Sequence, residues 1–359
     1  MSSVLALGLL GPALSSPPSL QAPTGFASRI AALSEREGSF DSDNLMSNEK
    51  SYLHVIPALR ERGVTGGAYL GVGPDQNFSY IAQVRPAIAF LVDIRRDNLL
   101  LHLLFKALFW MSGTRAEYVS LLFGRTAPED LDAWREADLG RLVAYIESAA
   151  PSEPATARLR ARVDATIRSF GVPLSETDFA TLDRFHRSFI SEGLSLTFSI
   201  AGSTPRGYYP TYRELLLETD RQGGSWNFLA SEDDFQFVRS LERRDLVVPV
   251  VGDLGGPVAL NAIGRLLAAR DEPVSAFYVS NVEYYLAGEG RLQSFLDNLA
   301  RLPHTERSVL IRSVFGGYVL PQSAPGYFST SLVQPIDELL EGFSSGRYRR
   351  YDDLLLSGR

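Results

Sequence analysis

A glycine-containing turn is the first feature of this sequence whose residue types could bind a ligand. Residues 69–75 read Tyr-Leu-Gly-Val-Gly-Pro-Asp, between a short apolar strand and a predicted helix over residues 77–84. Gly71 and Gly73 would let a ligand approach the backbone, and the amino terminus of the helix favours an anionic group. The third glycine of the dinucleotide-binding fingerprint is missing, and the carboxylate of Asp75 would repel a pyrophosphate. The turn therefore favours a zwitterionic amino-acid moiety over NAD or FAD, the alternative being a tight turn with Asp75 as the helix cap.

The next predicted strand, residues 87–93, ends in Asp93, twenty residues after Gly73. From that place a carboxylate can accept hydrogen bonds from two ribose hydroxyls. Arg95 and Arg96 follow at once, and arginine is the usual bidentate partner of a carboxylate or phosphate. The two arginines could bind a substrate anion, or they could simply neutralise Asp93 and Asp97.

Two later strand ends also carry polar residues. Residues 252–257 read Gly-Asp-Leu-Gly-Gly-Pro, where Asp253 and nearby backbone amides could face an adenine ring or form a capped turn. Residues 280–285 read Ser-Asn-Val-Glu-Tyr-Tyr and follow the strand 274–279. Ligands of open α/β sheets bind at this end of the strands. Glu283 is therefore the predicted general base and Asn281 a predicted donor to substrate. Tyr284 and Tyr285 could stack on a ring or pack in the core.

A polar stripe runs along the otherwise apolar predicted helix 97–111. Asn98, His102 and Lys106 are spaced four residues apart, so they share one face. Because nearly every other position is leucine, phenylalanine, alanine or tryptophan, the helix must be largely buried. The stripe is either its single solvent-facing edge or part of a cleft beside Asp93.

The elements that would position these residues alternate between continuous apolar strands and helices. This pattern predicts a buried, mostly parallel sheet in a three-layer α/β fold. The strand pattern fades between residues 126 and 225, where residues 131–148, 155–170 and 176–192 have helical periodicity. We therefore expect one domain over residues 46–325 with a helical insertion at about 126–225. A flexible amino-terminal arm over residues 1–45 and a carboxyl-terminal tail over residues 326–359 would flank it.

Composition excludes several classes of function. The chain has 359 residues, a net charge of −7 and no long basic run, so we expect no nucleic-acid partner. It has no cysteine, and its four histidines are scattered, so disulfides and thiolate sites are excluded and no metal site is expected. No run of 18 apolar residues is present, which predicts no membrane span. Residues 4–14 are similar to the apolar core of a signal peptide but lack a preceding basic residue. We expect a cytoplasmic protein, with export as the alternative.

Taken in order, these strand ends resemble the class I S-adenosylmethionine-dependent methyltransferases, over residues 64–112 and 245–315. Four segments, 71–78, 93–98, 249–253 and 277–283, also look like a family of uncharacterised bacterial proteins with this core. The resemblance implies a Rossmann-like, methyltransferase-like fold. It also departs from the methyltransferase pattern, since Tyr69 stands where an acid is usual, and residues 280–283 replace the Asn/Asp-Pro-Pro-Tyr of amino methyltransferases.

The resemblance implies S-adenosylmethionine as the cofactor, with Asp93 on the ribose and Asp253 with Leu254 at the adenine. The full set of implied cofactor-binding residues is Gly71, Gly73, Pro74, Asp75, Asn77, Asp93, Arg95, Asp253, Leu254 and Ser280. The implied catalytic residues are Glu283, Asn281 and Tyr284. Two functions remain open: methyl transfer to a small molecule, and non-catalytic binding of a nucleoside or another ligand on the same fold. The sequence indicates neither the methyl acceptor nor the oligomeric state.

Overall fold

A six-stranded sheet forms the centre of the protein in a computed structural model that describes residues 25–42, 44–151, 153–200, 207–316 and 318–356. The strands are β1 (Ala68–Gly71), β2 (Ile88–Asp93), β3 (Val247–Val251), β4 (Val274–Ser280), β5 (His304–Phe315) and β6 (Ser329–Pro335). Their order in the sheet is β3-β2-β1-β4-β5-β6. All neighbouring strands are parallel except β6, which is antiparallel to β5. The fold is therefore mixed α/β with a mostly parallel sheet, as the sequence predicts, and it is compatible with a Rossmann-like architecture.

Helices cover the sheet and extend beyond it. They are α1 (Phe26–Leu33), α2 (Ile56–Glu61), α3 (Gln76–Val84), α4 (Arg96–Met111), α5 (Arg115–Leu122), α6 (Leu139–Ser148), α7 (Glu153–Ser169), α8 (Glu176–Glu192), α9 (Tyr212–Leu217), α10 (Glu232–Arg243), α11 (Ala259–Ala268), α12 (Val282–Gly288), α13 (Leu292–Ala300), α14 (Ile336–Ser344) and α15 (Tyr351–Leu356). The predicted insertion at about 126–225 contains α6 to α9, and α7 and α8 pack on α4.

Apolar side chains on both faces bury the strands, which is why their sequences are continuous rather than alternating. All residues of β1 and β3 are buried, as are all residues of β2 except its last, Asp93. Pro249 lies within β3, which pairs only with β2 and is therefore an edge strand. Proline lacks the N–H group that a central strand needs, so its position agrees with the edge location.

Helix α4 is buried on nearly all sides, and the solvent-facing edge expected for its polar stripe is wrong. Asn98, His102 and Lys106 are each at most 2% exposed. Lys106 forms an ion pair of 2.8 Å with Asp245 and lies 4.3 Å from the centre of the Phe26 ring. Because α7, α8 and α10 pack around α4, the stripe is removed from water: Lys106 and His102 Nε2 bond to groups of the protein, whereas the Asn98 amide has no hydrogen-bond partner among the described residues.

The described parts of the expected arm and of the expected tail pack against the sheet, which the sequence does not predict. Within the expected flexible arm, α1 buries Phe26, Ile30 and Leu33 against β3. Within the expected tail, β6 completes the sheet and α14 packs on β5. The signal-like residues 4–14 lie outside the described residues. Among the helices of the described part of the chain, none is long and apolar enough to cross a membrane.

Candidate functional site

The main cleft opens where the strand order reverses between β1 and β4, at the carboxyl ends of the parallel strands. Ligands of open α/β sheets bind at this switch point. The cleft is open to solvent, and both apolar and polar residues from the ends of β1 to β4 line it. Residues that precede β1 in the sequence form one wall of the cleft, among them Ser39, Phe40, Asn44 and Glu49.

The structure brings together most, but not all, of the sequence-predicted site residues. Those that line the cleft are Gly73, Pro74, Asp93, Arg95, Asp253, Leu254, Ser280 and Asn281. Gly71, Asp75, Asn77, Glu283 and Tyr284 are not among the lining residues. The carboxyl ends of four strands therefore converge as expected, whereas several individual side chains have other partners.

The side chain of Asn77 stabilises the glycine-containing turn through hydrogen bonds to its backbone. It is fully buried, and its Nδ2 donates to the carbonyl oxygens of Val72 at 2.8 Å, Gly73 at 3.3 Å and Pro74 at 2.7 Å. Its Oδ1 accepts a 2.8 Å hydrogen bond from the Tyr69 hydroxyl. Asn77 is thus a structural residue of the turn and does not face the cleft.

The two glycines of the turn have different roles. A Cβ at Gly71 would lie 1.9 Å from the Asn77 Oδ1, so Gly71 is required for packing inside the turn. Gly73 has a φ of +78°, a left-handed conformation that glycine adopts at little cost. His102 donates from Nε2 to the Gly73 carbonyl oxygen at 2.9 Å, and burial lowers the pKa of His102 to about 4. A neutral histidine of α4 therefore stabilises the backbone of the turn at Gly73 from the side that faces the protein interior.

Asp75 is buried away from the cleft rather than turned towards a ligand. It occupies the cap position of α3, but its side chain makes no capping hydrogen bond. Its carboxylate accepts a hydrogen bond from the Tyr212 hydroxyl, and burial raises the pKa of Asp75 to about 6. Both interpretations drawn from the sequence, a ligand-facing acid and a helix cap, are therefore wrong for this side chain.

This burial predicts a specific dependence of stability on pH. Because the pKa of Asp75 is higher in the folded protein than in an unfolded chain, folding becomes less favourable as pH rises from about 4 through 6. Asp75→Asn removes the titration, so the unfolding free energy of the variant should rise relative to wild type by roughly 2–3 kcal/mol between pH 4 and pH 8. Urea titrations at several pH values measure this difference. The exposed Asp132 provides the control substitution Asp132→Asn, and equal pH profiles for Asp75→Asn and wild type would contradict the assignment.

Asp93 reaches the cleft at the end of β2, but Arg95 already binds it. The backbone N and the Nε of Arg95 donate to Oδ1 at 2.9 and 3.0 Å, and its Nη2 donates to Oδ2 at 2.9 Å. Arg95 also donates to the Ser42 carbonyl oxygen at 2.6 Å, which ties the cleft wall to the sheet. A carboxylate has about four lone-pair directions, so Arg95 leaves one on Oδ2. Arg96 turns away and pairs with Asp178 at 2.9 Å.

The carboxylate of Asp253, which follows β3, also has partners within the protein. Its Oδ1 accepts a hydrogen bond of 2.8 Å from the Gly255 backbone, and its Oδ2 forms an ion pair with Arg291. Its backbone N–H donates to Glu35 at 2.7 Å. Leu254, which follows, is buried and gives this end of the cleft an apolar surface.

The end of β4 carries a strained residue. Ser280 has a φ of +53°, which is uncommon for a residue with a side chain and is often found at functional sites. Its hydroxyl donates to Glu49. Asn281 lines the cleft at the start of α12. Tyr284 is 55% exposed and makes edge contacts with Tyr285 and Tyr351, so it does not face the cleft.

Glu283 does not stand at the cleft rim, and this expectation from the sequence is corrected. The residue is 1% exposed, and its two oxygens accept from Arg312 Nε at 2.6 Å and Nη2 at 3.2 Å. Arg312 lies on β5, is 3% exposed and also donates to Gln334 at 2.6 Å. A bidentate ion pair of this kind ties α12 to the sheet and leaves Glu283 unsuited to act as a general base.

Sequence reasoning missed Glu49 and Gln76, which both line the cleft. Glu49 is 1% exposed and precedes the 3-10 helix Lys50–Val55, while Gln76 begins α3. A single glutamate in the stretch Ser-Asn-Glu-Lys has the composition of a solvated surface, so no local pattern distinguishes it. Only the path of the chain across the sheet places it in the cleft.

Within the described residues, no group of three or more histidine, cysteine, aspartate or glutamate side chains is arranged to hold a metal ion.

Comparison with known proteins identifies a family but no activity. No match was found among curated proteins. Residues 45–357, which include the six strands and most of the residues that line the cleft, match the family described as a domain of unknown function, DUF7790. The chain therefore belongs to the DUF7790 family.

Proposed function

We propose that this protein binds S-adenosylmethionine in the cleft and acts as a methyltransferase on a small molecule. The observation that carries the proposal is that two acids, Asp93 and Asp253, end adjacent strands and line the same cleft as the Gly73 turn. Acids at these places suit the hydroxyl and amino groups of a nucleoside. The strand order, which reverses beside β1, supports the same location.

The chemistry of the lining residues fits such a cofactor. The free lone pair of Asp93 Oδ2 can accept one ribose hydroxyl, and the buried Leu254 offers an apolar surface for a base. When bound, the cofactor would supply an electrophilic methyl group on a sulfonium. The protein itself then has to orient a nucleophile, exclude water and accept a proton.

A second candidate function is binding of a nucleoside without catalysis. The observation that favours it is the Glu283–Arg312 ion pair, because the predicted base of α12 is not free to accept a proton. Both candidate functions require a nucleoside ligand in the cleft, but only the first includes transfer of a methyl group. Methylation of an acceptor by the wild-type protein therefore separates them.

Titration calorimetry with S-adenosylmethionine and S-adenosylhomocysteine tests the proposal. We expect both to bind the wild-type protein, and Asp93→Asn to lower the affinity about tenfold, since it weakens one hydrogen bond to a charged acceptor. Asp97→Asn is the matched control, because Asp97 is half-exposed and pairs only loosely with Arg184 at 3.6 Å. A wild-type protein that binds neither nucleoside, or an Asp93→Asn variant with unchanged affinity, would disprove the assignment.

A further inference from the structure

The charged groups of the cleft are paired, with one exception. Asp93 pairs with Arg95 at 2.9 Å, while Asp253 and Glu289 both pair with Arg291. Glu49 is the remaining carboxylate that lines the cleft. Within the part of the chain that the structure describes, no lysine, arginine or histidine forms an ion pair with it.

Among the described residues, hydroxyl groups supply the hydrogen bonds to the Glu49 carboxylate. Ser280 Oγ and Ser313 Oγ donate to its two oxygens, and the Tyr278 hydroxyl also bonds to it. Burial raises the pKa of Glu49 from its ordinary value, and these hydroxyl groups offset that effect in part. A buried carboxylate without a cation is costly unless it takes up a proton or a positively charged partner.

Gln76 provides a second acceptor at the same end of the cleft. Its Nε2 donates to the Tyr278 hydroxyl oxygen at 3.2 Å, and Tyr278 in turn donates to Glu49, which fixes the orientation of the amide. Gln76 is 7% exposed, and its Oε1 has no hydrogen-bond partner among the described residues. The Glu49 carboxylate and Gln76 Oε1, which are linked through Tyr278, are therefore two hydrogen-bond acceptors at one end of the cleft. They suit a group that donates hydrogen bonds and accepts none, such as an ammonium group.

The position of Glu49 separates it from the nucleoside end. Its serine partners lie on β4 and β5, whereas Asp93 and Asp253 end β2 and β3 on the other side of β1. If the nucleoside lies beside the two aspartates, Glu49 faces the opposite end of the cleft, where a second ligand would meet the methyl group.

We propose that the methyl acceptor is an amine, whose ammonium group binds to the Glu49 carboxylate and to Gln76 Oε1. This inference rests on the proposed function. Glu49 takes one proton from the ammonium, and the freed nitrogen lone pair forms the new N–CH₃ bond. The C–S bond breaks as this bond forms, and its electron pair stays on sulfur as a neutral thioether. The methylated product leaves as an ammonium ion, and Glu49 returns its proton to solvent.

The test uses matched pairs of neutral and cationic probes, benzylamine against benzyl alcohol and butylamine against butanol. Their binding to the full chain is measured by ligand-detected NMR, with and without S-adenosylhomocysteine. We expect the wild-type protein to bind each amine at least tenfold more tightly than its alcohol. Glu49→Gln should remove this preference and keep nucleoside binding, and Gln76→Leu should weaken it several-fold. Glu338→Gln, an exposed carboxylate on α14, is the control and should behave as wild type.

The outcomes distinguish this inference from the proposed function. A wild-type protein that shows no preference for amines, or a Glu49→Gln variant that keeps the preference, overturns the role of Glu49 even if the nucleoside binds. Absence of nucleoside binding overturns the proposed function, and the amine arm without nucleoside still measures the Glu49 site. In a methylation assay with the same probes, modification of an alcohol instead of an amine also overturns the inference. If an amine is methylated, Glu49→Gln should lower turnover by about 10²–10⁴.

Discussion

An Asn77→Asp variant is expected to lose about 3–5 kcal/mol of unfolding free energy, the largest effect of any single-atom change near the cleft. The Asn77 Nδ2 donates to three backbone carbonyl oxygens in a fully buried position. A carboxylate cannot donate these bonds, and its charge would face the carbonyl oxygens instead. The turn that forms one wall of the cleft would then lose its support. Urea denaturation followed by circular dichroism measures the change.

Asn261→Asp is the matched control for this prediction. The Asn261 side chain donates to the Pro257 carbonyl oxygen at 3.1 Å and to Asn298 Oδ1 at 3.0 Å, but it is only partly buried. Solvent can replace these bonds, so a loss below about 1 kcal/mol is expected. Similar losses for the two variants would show that Asn77 does not organise the turn.

Breaking the Glu283–Arg312 pair is expected to have the second largest effect. Arg312→Met should cost about 3–5 kcal/mol, because it leaves the buried Glu283 carboxylate without its cation. The double variant Glu283→Leu with Arg312→Met should recover most of this loss, since it removes both charges and keeps apolar volume. Thermal and urea unfolding of the two single variants and the double variant form a double-mutant cycle.

Ligand binding provides the second readout for this pair. Because neither residue lines the cleft, the double variant should bind S-adenosylhomocysteine with the affinity of the wild-type protein. If Glu283→Gln left stability unchanged but abolished methyl transfer, the catalytic role expected from the sequence would be restored and the structural role rejected.

The sequence predicts the sheet and the location of the cleft well, because both follow from local patterns. Buried parallel strands need continuous apolar residues, and the polar residues that follow β1, β2, β3 and β4 must meet at one edge. The convergence of Gly73, Asp93, Asp253 and Ser280 follows from this logic. The pattern does not predict β6, which lies in the expected tail, and β4 extends one residue past the predicted strand 274–279, to Ser280.

The individual partners of charged residues could not be predicted, because they depend on contacts between distant parts of the chain. Arg95 neutralises Asp93 as one of the two alternatives allowed, but its neighbour Arg96 pairs with Asp178 in the insertion. Glu283 meets Arg312 from another strand, and Glu49 meets Ser280 across 231 positions. No local spacing encodes such contacts, so the sequence locates the site but does not identify the partner of each side chain.

The proline in β3 has a consequence for the hydrogen-bonding edge of the sheet. Backbone groups of a strand alternate between its two sides, and those of Leu246 and Gly252 bond towards β2. The groups of Val251 bond outward, to Glu35 N–H and Ser34 Oγ at 2.9 and 3.1 Å. Pro249, two residues earlier, shares that outward side and has no N–H to donate. At these positions the edge therefore offers a strand from another molecule neither an N–H group at Pro249 nor free backbone groups at Val251, which is the kind of interruption that disfavours edge-to-edge pairing.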